Sequence, residues 1–179
     1  SSLGEQDWAL SPITSTNSWA DGEYLYVSLT RGGRKTAYTV NFPGVPYSSA
    51  GGAADFSPSQ MSFTFSDTSV QTDGIGLAGN NVFSGASLTQ NGNSSTLTLN
   101  FRKSGAFLGY RAYYDGDNLV LRFHLIPSGL GGAKIYIDPG HGGNDSGTAI
   151  AGMYTEKSLN ADLAGRVAQI LRERGANVQ

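Results

Sequence analysis

The chain contains no cysteine, which excludes a disulfide framework and any thiolate metal site. It is also poor in charge. Only 15% of its 179 residues are Asp, Glu, Lys or Arg, and the formal net charge is -2. The basic stripe of a nucleic-acid binder is missing, so neutral polar ligands are expected over polyanions and no nucleic-acid partner is expected. No run approaches the ~20 apolar residues of a membrane span. The chain opens on SSLGEQDW, with neither an initiator Met nor a basic-then-apolar leader, and is read as a processed or trimmed soluble chain. Its length exceeds one average domain and barely suffices for two small ones.

Glycine, by contrast, is abundant: 25 residues, about double the usual share of roughly 7%. It clusters with Ser, Asn and Thr between short apolar runs. From Trp19 to about Leu125 apolar and polar residues alternate, as in YLYVSLT (24–30), MSFTFS (61–66), STLTLNF (95–101), GYRAYY (109–114) and NLVLRFHL (118–125). This pattern predicts half-buried antiparallel strands, with Asp115-Gly116 turning one hairpin. A faint repeat runs through them. Tyr24–Leu29, a glycine-bearing turn and Tyr38 match Thr96–Phe101, a glycine-bearing turn and Tyr110. Two similar three-stranded units would pack as a small sandwich, with VPYSSAGGAADFSPSQ (45–60) as a surface loop. Any two alternating hairpins look alike, so duplication and coincidence both stand at this point.

The period changes after IPSGLGGA (126–133), which has the composition of a linker. KIYID (134–138) reads as a short strand, a glycine-rich turn follows, and 155–175 is helical. Thr155 is placed at its N-cap and Gly175 at its stop. Leu159, Leu163, Val167, Ile170 and Leu171 share one stripe at the 3.6 period. ANVQ begins another strand. The fold class expected is therefore mainly β: an antiparallel β-sandwich (1–128), a linker (129–133) and a strand-loop-helix α/β unit (134–179).

In α/β units ligands gather at the carboxyl ends of strands and at helix N-termini. His141 lies in the loop after the strand and Glu156 in the first helical turn, so both can converge on one crevice. Imidazole nitrogen and carboxylate oxygen are donors that zinc accepts. Each residue also has a plain alternative: a His in a glycine loop is commonly solvated, and a first-turn Glu suits the helix dipole. The GHGGNDSG run lacks the signatures of phosphate loops and dinucleotide sites.

The segment IDPGHGGNDSG (137–147), followed by TEKSLN (155–160) and an amphipathic helix ending in RGANV, resembles the start of the zinc-dependent N-acetylmuramoyl-L-alanine amidases (amidase type 3). The resemblance implies that His141 and Glu156 are zinc ligands. It gives Asp138 and Asn160 a supporting role, as hydrogen-bonding residues that orient the loop. It further implies that zinc activates water to cleave the amide between N-acetylmuramic acid and the L-alanine of the stem peptide, with a separate glutamate as general base. The substrate would be peptidoglycan and the location extracellular, in the cell wall or periplasm.

That resemblance spans 134–179 only. A third ligand, a second histidine in the family, and the general-base glutamate are expected downstream of Gln179. His124 ends a β-strand and is read as a strand residue. Glu173 lies ~25 Å from Glu156 along the helix axis at ~1.5 Å per residue. The 179 residues alone are thus expected to be a truncated, inactive form of an amidase. Their helix stripe, with Leu163, Val167 and Ile170, is expected to cover some other surface, and self-association is one outcome. The β-region (about 19–126) resembles, more weakly, the AMIN module that precedes such amidases and targets them to the cell wall; Arg102, Tyr110, Arg111 and Tyr113 are then candidates for glycan contact, although alternating aromatics in strands are commonly core. The alternative reading of function is a non-catalytic peptidoglycan-binding or structural module with a remnant amidase tail.

Overall fold

A computed structural model describes residues 9–43, 57–150 and 154–179. The chain divides into two compact units, with the division between Ile126 and Pro127.

The first unit is two facing sheets. One holds β1 (Ser11–Ala20), β2 (Tyr24–Arg31), β5 (Thr68–Val70), β8 (Tyr110–Asp115) and β9 (Asn118–His124), in the order β5-β1-β2-β9-β8. The other holds β3 (Tyr38–Asn41), β4 (Gln60–Ser66), β6 (Phe83–Asn91) and β7 (Ser94–Phe101), in the order β3-β4-β7-β6. Apart from the short parallel pairing of β5 with β1, the ladders are antiparallel. Alternation puts Leu25, Val27, Leu29, Leu119, Leu121 and Phe123 of one sheet in a single core with Met61, Phe63, Phe65, Leu97, Leu99 and Phe101 of the other. Rings lock the layers: Phe83 meets Phe123 edge-on at 4.9 Å and Phe63 meets Tyr110 at 5.5 Å. Each such side chain contributes about 1.5–3 kcal/mol by leaving water. The β8–β9 hairpin turns through Gly116 at φ +57°, a value that disfavours a side chain.

The repeat is present in the fold. β1–β4 and β6–β9 follow the same path, each contributing two strands to either sheet. Both first strands carry an irregularity at the same step: Ile13 pairs Arg31 and Ser15 pairs Thr30, as Phe83 pairs Phe101 and Gly85 pairs Asn100. The structural register corrects the one read from sequence, for Tyr24 corresponds to Ser94 and not to Thr96. Each repeat has four strands rather than three, because β1 and β6 belong to it. Most of the 45–60 connection lies outside the described residues.

In the second unit, β10 (Lys134–Ile135) pairs in parallel with β13 (Asn177–Val178), and β11 (Ala149–Ile150) pairs antiparallel with β12 (Tyr154–Thr155). Helix α1 (Glu156–Glu173) begins with a capping box between Thr155 and Ser158. It ends in a Schellman pattern, Ala176 N–H to Leu171 O at 3.0 Å and Gly175 N–H to Arg172 O at 2.9 Å, with Gly175 at φ +91°. Its inner face is Ala168 and Leu171, packed with Leu130, Ile135, Ile137, Ala176 and Val178. Leu130, inside the segment read as linker, is thus part of this small core. Of the expected stripe only Leu171 packs there, while Leu159, Leu163, Val167 and Ile170 are 38–62% exposed. No described helix is long and apolar enough to cross a membrane.

Candidate metal centre

The loop from β10 to β11 is held to the start of α1 by hydrogen bonds at several points. The N–H of Glu156 donates to Thr148 O (2.8 Å), the N–H of Lys157 to Ser146 O (3.2 Å) and Lys157 Nζ to Gly143 O (2.7 Å). Asn160 Nδ2 donates to Gly140 O at 3.0 Å, which fixes the loop one residue before His141. Asp138 is exposed and has no hydrogen bond among the described residues. The four residues singled out from sequence therefore divide: His141, Glu156 and Asn160 surround one loop, and Asp138 stands apart from their bonds.

His141 has φ +66°, a left-handed conformation uncommon outside glycine. That backbone sends both ring nitrogens toward carboxylates. Nδ1 lies 2.9 Å from Asp145 Oδ2, and Nε2 lies 3.3 Å from Glu156 Oε2. Asp145 is itself held by the Gly147 N–H on its Oδ1 at 2.9 Å, and Glu156 by the Thr148 N–H on its Oε2 at 3.1 Å. An ionised carboxylate only accepts, so Asp145 holds a proton on Nδ1 and, with no metal present, Glu156 favours one on Nε2. The electrostatics agree. The hydrogen bond to Asp145, assisted by the charges of Asp145 and Glu156, raises the His141 pKa above its usual value against a smaller opposing effect of desolvation. Asp145 is lowered, first by His141 and then by the Gly147 amide; Glu156 is lowered, first by the Thr148 amide and then by His141.

The space between the two facing donors is kept open by Gly147. A Cβ there would stand 2.8 Å from Glu156 Oε2 and 2.8 Å from His141 Cδ2, and the residue sits at φ +62°. Two donors on a tetrahedral zinc with bonds of about 2.0–2.1 Å stand about 3.3–3.4 Å apart, and His141 Nε2 and Glu156 Oε2 already stand at 3.3 Å. The pair therefore fits two positions of such an ion, with a hydrogen-bonded carboxylate behind the imidazole as metal-binding histidines usually have. No group of three or more metal-ligating side chains exists among the described residues. His124 packs its ring 4.6 Å from that of Tyr24 on the first unit.

Reading the sequence missed Asp145 and Gly147. The carboxylate four residues after His141 in a glycine-rich turn is the available signal for the first; the second follows only from the folded loop.

Residues 135–179 match the family model described as N-acetylmuramoyl-L-alanine amidase. Two curated proteins of Bacillus subtilis (strain 168) are similar over about a quarter of the chain. A germination-specific N-acetylmuramoyl-L-alanine amidase is 49% identical over 49 residues, which are 27% of this chain and 20% of that protein. The uncharacterized protein YqiI is 46% identical over 46 residues, 26% of this chain and 22% of that protein. The chain thus spans about a fifth of the length of these relatives.

Proposed function

We propose that the second unit is the opening part of a zinc-dependent N-acetylmuramoyl-L-alanine amidase, in which His141 and Glu156 hold the metal, and that the first unit is an AMIN-like module that places it on peptidoglycan outside the cytoplasm. The observation that carries the reading is the opposition of His141 Nε2 and Glu156 Oε2 at 3.3 Å within a segment matched by the amidase family model. Zinc, when bound, supplies a Lewis acid for the amide carbonyl joining muramic acid to L-alanine and an activated water. The chain's own residues do the positioning. Asp145 holds the Nδ1 proton, so that Nε2 is the nitrogen that would give up its proton and offer a lone pair to a metal. The Thr148 amide steadies Glu156 as the anion, Lys157 and Asn160 tie the loop to α1, and Gly147 leaves the space between the ligands free.

Two protein ligands are one short of the three usual at catalytic zinc, so a third ligand and the general base must come from other residues. The 179 residues by themselves are expected to bind zinc weakly and to leave peptidoglycan intact. The exposed stripe of α1 is then covered by further protein or by a second copy. Two measurements test this reading. Calorimetry on the 179-residue chain should show no tight one-to-one zinc complex. A longer protein containing it should release free stem peptides from peptidoglycan, with EDTA abolishing the release. Tight zinc binding by the short chain would refute the two-ligand argument. No release by the longer protein at saturating zinc would leave the alternative, a binding module with a remnant tail.

A further inference from the structure

The duplication of the first unit provides a comparison between its own two outer faces. Across the outside of the four-stranded sheet, Thr89, Thr96, Thr64 and Thr39 stand side by side on β6, β7, β4 and β3. The equivalent row on the five-stranded sheet is Trp19, Tyr26, Arg122 and Arg111 on β1, β2, β9 and β8. The neighbouring pair repeats the contrast: Ser94 opposite Ser66 on one face, Tyr24 opposite His124 on the other. Small hydroxyl side chains therefore satisfy the sandwich at these positions, as the Thr64–Thr96 bond at 3.2 Å shows. At these paired positions among the described residues, large aromatic and cationic groups occur on one face only, and the core does not require them.

These groups are arranged for contact. Trp19 and Tyr26 stack at 5.0 Å with planes 4° apart, and the Arg122 guanidinium lies 4.2 Å over the Tyr24 ring. Trp19 is 39% and Tyr113 41% exposed. Arg111 stands directly opposite Arg122 across the β8–β9 ladder, a like-charge pairing that weakens a sheet. Neither arginine forms an ion pair among the described residues. Asp21, on the β1–β2 turn, is committed to the Tyr26 hydroxyl at 2.9 Å and the Tyr24 amide at 2.7 Å. A groove of ≈290 Å³ opens beside the two arginines, bounded by Leu108, Tyr110 and His124.

We propose that this face binds an acidic glycan, with sugar rings against Trp19 and Tyr113 and carboxylates on Arg111 and Arg122. Aromatic side chains with polar rims suit the mixed surfaces of sugars, and paired guanidinium forks suit carboxylates. Local charge here overrides the slightly acidic whole, which alone favours neutral ligands. The basic patch is too small to track a nucleic-acid backbone. The identity of the glycan rests on the amidase reading. Hydrolysis of the lactyl amide adds the hydroxyl of water to the acyl carbon and a proton to the departing amine, leaving a carboxylate on each cleaved muramic acid. The face thus fits the product strand, and would hold the enzyme where stem peptides have already been removed.

The test is binding of the whole 179-residue chain to glycan strands freed of stem peptides, to the same strands with their carboxyls converted to amides, and to single-stranded DNA. The peptide-free strands should bind at least tenfold more tightly than either comparison. Arg111→Gln with Arg122→Gln should lose at least tenfold, while Thr64→Ala on the other sheet should change nothing. Thermal melting confirms that each variant is folded. Equal binding of amidated strands, equal binding of DNA, or full retention by the arginine double variant overturns the proposal. EDTA should leave this binding unchanged, so its failure is separable from failure of the zinc amidase reading.

Discussion

Gly147→Ala examines the proposed metal centre most directly, because two separable effects act there. The first is backbone: an alanine at φ +62° costs about 1–2 kcal/mol relative to glycine. The second is steric, since the new Cβ would lie 2.8 Å from Glu156 Oε2, 2.8 Å from His141 Cδ2 and 2.9 Å from Glu156 Cβ. Contacts this short must be relieved by pushing the two ligands apart. Gly143→Ala isolates the backbone effect, for Gly143 has a similar φ of +56° with nothing within 4 Å of its Cβ position. Both variants should lose comparable backbone stability in hydrogen exchange of the 140–148 amides. Only Gly147→Ala should also move the His141 titration, followed by imidazole NMR. The expected direction is downward, because the charge of Glu156 helps to raise the His141 pKa, but only part of the way, because Asp145 is the larger cause. In a longer protein with a complete site, Gly147→Ala should weaken zinc by about the 10–100-fold seen when ligand-orienting groups are lost. Equal behaviour of the two variants in both titration and zinc binding would refute the argument that Gly147 keeps the ligand space open.

Asp145→Asn should lower the His141 pKa more than Gly147→Ala does; a raised folded-state pKa also means that this contribution to stability is present at low pH and fades as pH rises through it, so Asp145→Asn should destabilise the chain at pH 5 and matter less at pH 8, as urea melts at the two pH values can check. Arg31 is fully buried, donates to Thr36 O, Thr36 Oγ1 and Tyr114 Oη, and among the described residues meets no carboxylate and has no partner for its Nε; Arg31→Met should be neutral or stabilising, whereas Tyr114→Phe, which removes a 2.6 Å partner of the cation, should cost about 1–3 kcal/mol in chemical denaturation. If the exposed α1 stripe causes self-association, Leu163→Gln with Val167→Gln should shift sedimentation toward monomer while leaving the helix content measured by circular dichroism unchanged.

Much of this architecture was legible where polarity alternates. The runs at 24–30, 61–66, 95–101 and 118–125 became β2, β4, β7 and β9, which carry the core. β1 and β6 were not legible because SPITSTNSWA and FSGASLTQN offer little apolar contrast. On β1, Thr16 and Ser18 are satisfied by Gly74 O and the Ala78 N–H, so a covering loop replaces apolar burial. Matching Tyr38 to Tyr110 puts β2 and β7 two residues out of register. The connection 32–37 is shorter by two than its counterpart 102–109, and that difference was carried back into β2. The approach of His141 to Glu156 followed from strand-loop-helix logic, whereas the contacts of Asp145 and Gly147 depend on loop dihedrals that composition does not encode.

Departures from the locally cheapest solution separate function from fold here. Two described residues other than glycine adopt positive φ, Asp67 at +50° and His141 at +66°. Asp67 is explained by the sandwich: its carbonyl accepts from the Ser11 N–H at 2.8 Å where β5 joins β1, and its carboxylate meets Arg34 at 3.2 Å. No core packing or strand pairing asks the same of His141. Its left-handed backbone accompanies the placing of Nε2 3.3 Å from Glu156 and of Nδ1 2.9 Å from Asp145, the geometry on which the proposed metal site rests. The same reasoning applies within the duplicated sandwich, where Thr89, Thr96, Thr64 and Thr39 show what the fold needs and Trp19, Tyr26, Arg122 and Arg111 exceed it. In both units the residues that the fold does not explain are the ones arranged to meet something else.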